Sequence, residues 1–194
     1  MAARRKSNGS SRGKARGGRK SGGASRARKP SGSDAIALLK SDHREVKGWF
    51  EQFKKARNED RQAELAEKIC MALKAHTTIE EEIFYPAFLD ATEDTSMHHE
   101  AEVEHDGAKK LIAEIESNGS GDEYFKARIT VLEEMIRHHV NEEEQRNGMF
   151  AKARASSMDL KELGRELQAR KKQLLSELRP ATGFLESIRT ATLS

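Results

Sequence analysis

From Asp34 onward, apolar residues recur at steps of three and four, the repeat of amphipathic helices rather than of strands. The spacing predicts four strong helices. The first runs from about Asp34 to Arg57 and sets Ile36, Leu39, His43, Val46, Phe50 and Phe53 on one face. The second begins near Asn58–Asp60, a capping sequence, and carries Leu65, Ile69, Leu73, His76, Glu80, Ile83 and Phe84 before Pro86 bends or ends it. A third opens near Thr95 or Ser96, presents Ala101, His105, Ala108, Ile112 and Ile115, and stops at the loop SNGSGD. The fourth starts near Asp122 and shows Phe125, Ile129, Leu132, Met135 or Ile136, His139, Glu143 and Phe150. Short links make neighbouring helices antiparallel, so the expected fold class is all-α, an antiparallel up-and-down four-helix bundle. A fifth, less apolar helix is expected over about Met158–Glu177, packed on the bundle or on a second chain.

Charge divides the chain more sharply than its net of +3 suggests. Residues 1–33 hold 11 Lys or Arg and no acid, which leaves 35 − 11 = 24 bases against 32 acids in residues 34–194, a net of −8. The basic segment is rich in Gly and Ser and has no large apolar residue except Met1, so it is expected to be a disordered arm. A polycationic arm neutralises nucleic-acid phosphates without reading bases; a solubilising tail that touches the acidic body is the plainer alternative. The expected organisation is therefore the arm at 1–33, the bundle at 34–155, and a C-terminal helix and tail at 156–194.

Composition excludes several classes. Apolar residues make up 36% and charged residues 35%, and no stretch reaches the roughly 18 apolar residues needed to cross a bilayer. A lone cysteine, Cys70, cannot form an internal disulfide or a thiolate zinc knuckle and is read as a small buried hydrophobe. A reducing, cytoplasmic setting fits, and the first residues show no secretory leader. Gly-rich phosphate loops and nucleophile elbows are absent, which leaves hydrolase and kinase chemistry without support.

The chemistry lies in the histidines. Each of the four helices places one on its apolar face: His43, His76, His105 and His139. Two are followed one turn later by a glutamate on the same face, Glu80 after His76 and Glu143 after His139. Buried carboxylates are costly unless a cation compensates them, so the six residues predict a metal site. Imidazole and carboxylate without thiolate suit iron or manganese and can suit zinc. Zinc usually closes with four ligands, so two non-haem iron ions lead and manganese or zinc rank behind. His98, His99 and His138 are read as surface residues, with His98 able to approach the rim of the site.

Four stretches carry a family resemblance: SDHREVKGWFEQF around His43, HTTIEEEIFYPAF from His76, VEHDGAKKLIAEI around His105, and HVNEEEQRNGMFAKA from His139. They resemble the hemerythrin-like, or HHE cation-binding, family over about residues 34–155. The second and fourth are the most specific. The resemblance implies a non-haem di-iron centre with His43, His76, His105 and His139 as terminal ligands and Glu80 and Glu143 as bridges. Oxygen-carrying hemerythrins bring two histidines, one turn apart, from the third helix; here Ala101 and Lys109 flank His105 at that spacing. One ion is thus short of a ligand, and a water or a carboxylate from Glu81, Glu102 or Glu104 is expected to replace it. Simple reversible oxygen carriage is therefore not the expected role. The function expected is binding or sensing of oxygen, nitric oxide, peroxide or iron itself, with a peroxide- or NO-consuming enzyme, or a nucleic-acid-associated iron protein, as the alternatives.

Overall fold

The computed structural model describes residues 34–178. The basic arm and the final tail predicted above lie outside the described residues. Among those described, every regular element is helical: α1 Ala35–Lys55, α2 Glu59–Ile79, a π-helical turn Glu80–Phe84, α3 Tyr85–Thr92, α4 Thr95–Asn118, α5 Phe125–Glu144, α6 Met149–Ala155 and α7 Leu160–Glu177. No described helix is long and apolar enough to cross a membrane.

Helix starts follow from local chemistry. Asp34, Asn58, Asp94 and Asp159 each accept a backbone N–H of the first turn with their side chains, satisfying donors that have no partner inside the helix. Such a cap is worth about 1 kcal/mol. The Asn58 cap agrees with the sequence reading.

Two further boundaries fall near Pro86 and Glu144. Pro86 was expected to bend or end the second helix, and the chain does not stop there. The chain widens into the π turn, where the Tyr85 N–H reaches back five residues to the Glu80 carbonyl, and then continues as α3 with Pro86 in its first turn. Pro86 has no amide to donate, and the helical pairing passes through the π turn and resumes beyond it in α3. Helix α3 ends at Glu93, in the left-handed conformation with φ 56°. The fourth predicted helix likewise stops at Glu144, and Phe150 belongs to the separate helix α6. The break is at Gly148, which lies so close to the end of α5 that an added Cβ would meet the Glu142 carbonyl oxygen at 2.3 Å and the Glu143 carbonyl oxygen at 2.7 Å.

Helices α1, α2, α4 and α5 make the four-helix bundle, each packed against its neighbours in the ring. Helix α7 packs on this bundle across α1 and α2. Two apolar clusters fill the interior. One joins Val46, Phe50, Phe53, Leu65, Ile69, Leu73, Ile112, Ile129 and Leu132 toward one end. The other joins Ile36, Leu39, Ile79, Phe84, Tyr85, Phe88, Phe150, Leu167 and Leu174. Each such residue, fully buried, contributes about 1.5–3 kcal/mol of transfer free energy. Cys70 is buried in the first cluster, as expected, and burial pushes its thiol up to about 12, which keeps it protonated and inert. The buried polar residues, among them the histidines and glutamates named above, are held by the same helices that frame these clusters.

Candidate metal centre

All six predicted residues are buried: His43, His76, Glu80, His105, His139 and Glu143. They form two groups that share Glu80. His43, His76, Glu80 and Glu143 offer donor atoms within 4.8 Å of one another, and so do Glu80, His105 and His139. The Nε2 atoms of His43 and His76 are 3.0 Å apart, and those of His105 and His139 are 3.2 Å apart. Glu80 lies between the pairs, with Oε2 at 3.2 Å from His76 Nε2 and 3.4 Å from His105 Nε2. Glu143 does the same from the other side, at 3.4 Å from His43 Nε2 and 3.6 Å from His139 Nε2.

The outward nitrogens decide which tautomer each ring adopts. His43 Nδ1 meets Glu144 at 2.8 Å, His76 Nδ1 meets Asp42 at 3.4 Å, His105 Nδ1 meets Glu81 at 2.9 Å, and His139 Nδ1 meets Glu104 at 2.8 Å. An ionised carboxylate only accepts, so each Nδ1 donates and each Nε2 turns a lone pair inward. The carboxylates are held ionised. The hydrogen bond from His43 brings Glu144 down to about 2, and that from His105 lowers Glu81. Burial works to raise Asp42 and Glu104, but His76 and Lys171 at the first and the histidines around the second outweigh it, and both end below the usual range.

Four inward lone pairs therefore face one another around two carboxylates. Both oxygens of Glu80 and Oε2 of Glu143 are buried without a hydrogen-bond partner. Leaving such atoms unpaired is costly, and facing lone pairs near 3 Å repel unless a proton or cation lies between them. Without a cation the centre must stay neutral. Burial, reinforced by the Glu80 charge, pushes the Glu143 carboxyl up to about 8; Glu80 is driven well above its ordinary range, and burial takes His76 down to about 3. Inward-facing imidazole nitrogens and expensive buried carboxylates fit a bound cation, and this is the test that the donor residues pass.

Several residues here were not anticipated. Tyr85 is fully buried, its hydroxyl donating to Glu143 Oε1 at 3.3 Å and lying 3.1 Å from His105 Nε2. Phe150 stacks on the His43 ring at 5.7 Å between centroids. Asp42 and Glu144 were also missed, although each adjoins a predicted residue in sequence: Asp42 beside His43, Glu144 beside Glu143. The same adjacency holds for Glu81 beside Glu80 and Glu104 beside His105. An acid directly beside four of the six predicted residues, His43, Glu80, His105 and Glu143, is the signal that points to these carboxylates, because one step along a helix turns a side chain by about 100° toward the outside of a neighbouring ring.

The carboxylates expected to replace the missing third-helix histidine take other positions. Glu81 and Glu104 bind the outer nitrogens of His105 and His139, and Glu102 is exposed beside His98. Next to Ala101 there is instead a cavity of about 20 Å³, lined by Met97, Glu104, His139, Glu143 and Met149, large enough for one water-sized molecule. His98 is not a surface residue: it is partly buried and packs edge-on against Tyr85 at 6.0 Å. His99 and His138 are exposed as expected, and His138 Nε2 reaches Glu104 at 3.2 Å.

Beneath the four rings, Val46, Leu73, Ile136 and Val140 enclose a cavity of about 10 Å³. An outer groove of about 550 Å³ between α1 and α5 shares His43, Ile136 and Val140 with it. Ile136 and Val140 thus line both the inner cavity and the outer groove.

None of the curated proteins matches the chain. Among solved structures, a hemerythrin HHE cation binding domain-containing protein from Mycobacterium kansasii is similar, with 25% identity and a TM-score of 0.62, covering 75% of this chain and 89% of that one. The family model described as the hemerythrin HHE cation binding domain matches residues 34–153, which hold all four histidines and both glutamates. That match spans more than half the sequence and sits on the helices that build the buried cluster, so the chain belongs to the hemerythrin HHE cation-binding domain family.

Proposed function

We propose that this protein holds two non-haem iron ions, one at His43 and His76 and the other at His105 and His139, with Glu80 and Glu143 reaching both, and that it binds or senses a small ligand such as oxygen, nitric oxide or peroxide. The observation that carries the reading is the double span of the carboxylates, each within 3.6 Å of one ring nitrogen from either pair. Six protein donors without thiolate exceed what one tetrahedral zinc needs and suit iron, with manganese second. Bound iron would supply redox chemistry and an exchangeable position for a small ligand.

The chain's own residues set the limits of that chemistry. The Nδ1 carboxylates hold the rings in the tautomer that presents Nε2. The aliphatic screen of Ile136 and Val140 and the small inner cavity favour diatomic molecules and peroxide over larger substrates. Tyr85 places a hydroxyl proton at Glu143.

Elemental analysis of iron-loaded protein is expected to give two ions per chain. Stable ligand binding without turnover favours the sensor. Consumption of hydrogen peroxide or nitric oxide, lost in His76→Ala, favours the enzyme. The eleven bases of residues 1–33 support non-specific nucleic-acid contact as a separate property of the arm.

A further inference from the structure

Helix α7 lies beyond residues 34–153, the stretch that matches the family, yet it touches the supports of the metal centre. Leu167 and Leu174 bury one face of it against the bundle. Its polar edge then makes two aimed contacts. Lys171 Nζ lies 2.6 Å from Asp42 Oδ1, while the other oxygen of the same carboxylate faces His76 Nδ1 at 3.4 Å. One helical position earlier, the Arg170 guanidinium forks onto Glu82 at 2.6 and 2.9 Å, on the π turn that carries Glu80.

The Lys171–Asp42 pair is partly sheltered, with side-chain exposures of 20% and 8%. Among the described residues, Asp42 has no other cationic partner of comparable proximity, and His76 is the one further group within salt-bridge distance. The His76 contact is also the longest of the four ring-to-carboxylate contacts, so its geometry depends most on how Asp42 is held. The other three carboxylates draw their outer partners from within the bundle: Lys40 for Glu144, Lys109 for Glu81 and His138 for Glu104.

We infer that α7 is a working part of the metal centre, and that Lys171 is a positioning residue which, through Asp42, fixes the His76 ring with Nε2 facing inward. The inference rests on the reading of His76 as a ligand. Its consequence is asymmetric: losing Lys171 loosens the ion at His43 and His76 and leaves the ion at His105 and His139 in place.

The test uses the full chain with Lys171→Met, Lys171→Arg, and Lys172→Met as an exposed neighbour control. In metal-free protein, nitrogen NMR of the His76 imidazole reads its tautomer directly; circular dichroism reports whether α7 stays folded. Wild type and Lys171→Arg are expected to show the Nδ1–H form, and Lys171→Met a mixture. After iron loading and chelator challenge, Lys171→Met is expected to lose one of its two ions about tenfold faster than wild type, with Lys171→Arg restoring retention. An unchanged His76 tautomer, equal loss of both ions, or the same effect from Lys172→Met would overturn the inference. Wild-type protein that retains no metal would instead overturn the di-iron reading, and the tautomer measurement would still decide the role of Lys171.

Discussion

The two histidine pairs are near copies in geometry and differ in what supports them. Each has facing Nε2 atoms about 3 Å apart, an Nδ1 carboxylate behind every ring, and a glutamate shared with the other pair. The His105–His139 half is braced from within: Glu81 by Lys109, Glu104 by His138, and the Tyr85 hydroxyl beside His105. The His43–His76 half takes its brace for Asp42 from α7, a helix appended to the bundle, and the stack on His43 from Phe150 of α6. A donor set can thus be duplicated inside a bundle while its positioning is drawn from different parts of the chain.

The comparison is broken most severely at its shared member. Glu80→Ala is expected to abolish retention at both positions, beyond the roughly 10–100-fold cost typical of removing an outer partner. Elemental analysis checks it; a variant that keeps one ion would show that the halves do not share Glu80.

Removing outer partners should separate the halves. Glu81→Gln and Glu104→Gln are expected to weaken retention at the His105–His139 position by roughly 10–100-fold while sparing the other. Metal titrations followed by spectroscopy that resolves two phases would show this, and uniform weakening would contradict it.

Gly148→Ala strikes from outside the centre. Its Cβ would press on the carbonyls of Glu142 and Glu143, and moving the end of α5 displaces both Glu143 and Glu144. A destabilisation of about 1–3 kcal/mol is expected from thermal or denaturant melts, together with weaker metal retention.

A smaller effect comes from pH. Glu143 has its carboxyl raised from 4.5 to about 8, so its protonated folded form favours folding fully below pH 4.5, and that contribution is lost as pH climbs to about 8. His76, lowered from 6.5 to about 3, acts in the opposite sense, but only between those values. Between about pH 6.5 and 8 the metal-free protein is therefore expected to melt at falling temperatures. A bound cation compensates the ionised carboxylate, so loaded protein should show a flatter profile; parallel profiles would argue against the buried carboxylates as the cause.

The smallest expected effect on the centre is none: deleting residues 1–33 should leave metal content unchanged while removing salt-sensitive nucleic-acid binding. Undiminished DNA affinity in the truncated chain would refute the role given to the arm.

Much of this was legible in the sequence for a physical reason. His43, His76, His105 and His139 break runs of apolar residues at helical spacing, and a polar group on a buried face has to be explained. Glu80 and Glu143 follow by the one-turn rule. Tyr85 was not legible, because a tyrosine before a proline reads as a helix end, whereas the π turn carries the chain on into α3 with Tyr85 buried. Phe150 was assigned to the fourth helix because its spacing continues the pattern, while the close approach at Gly148 that separates α6 depends on packing. The contact of Lys171 with Asp42 joins residues 129 positions apart, beyond the reach of any periodicity.

The most direct measurement of the central claim is the metal content of full-length protein loaded with ferrous iron under anaerobic conditions and freed of excess. The account predicts two ions per chain, falling to none in Glu80→Ala. Wild-type protein that retains no iron, or retains it undiminished without Glu80, would contradict it.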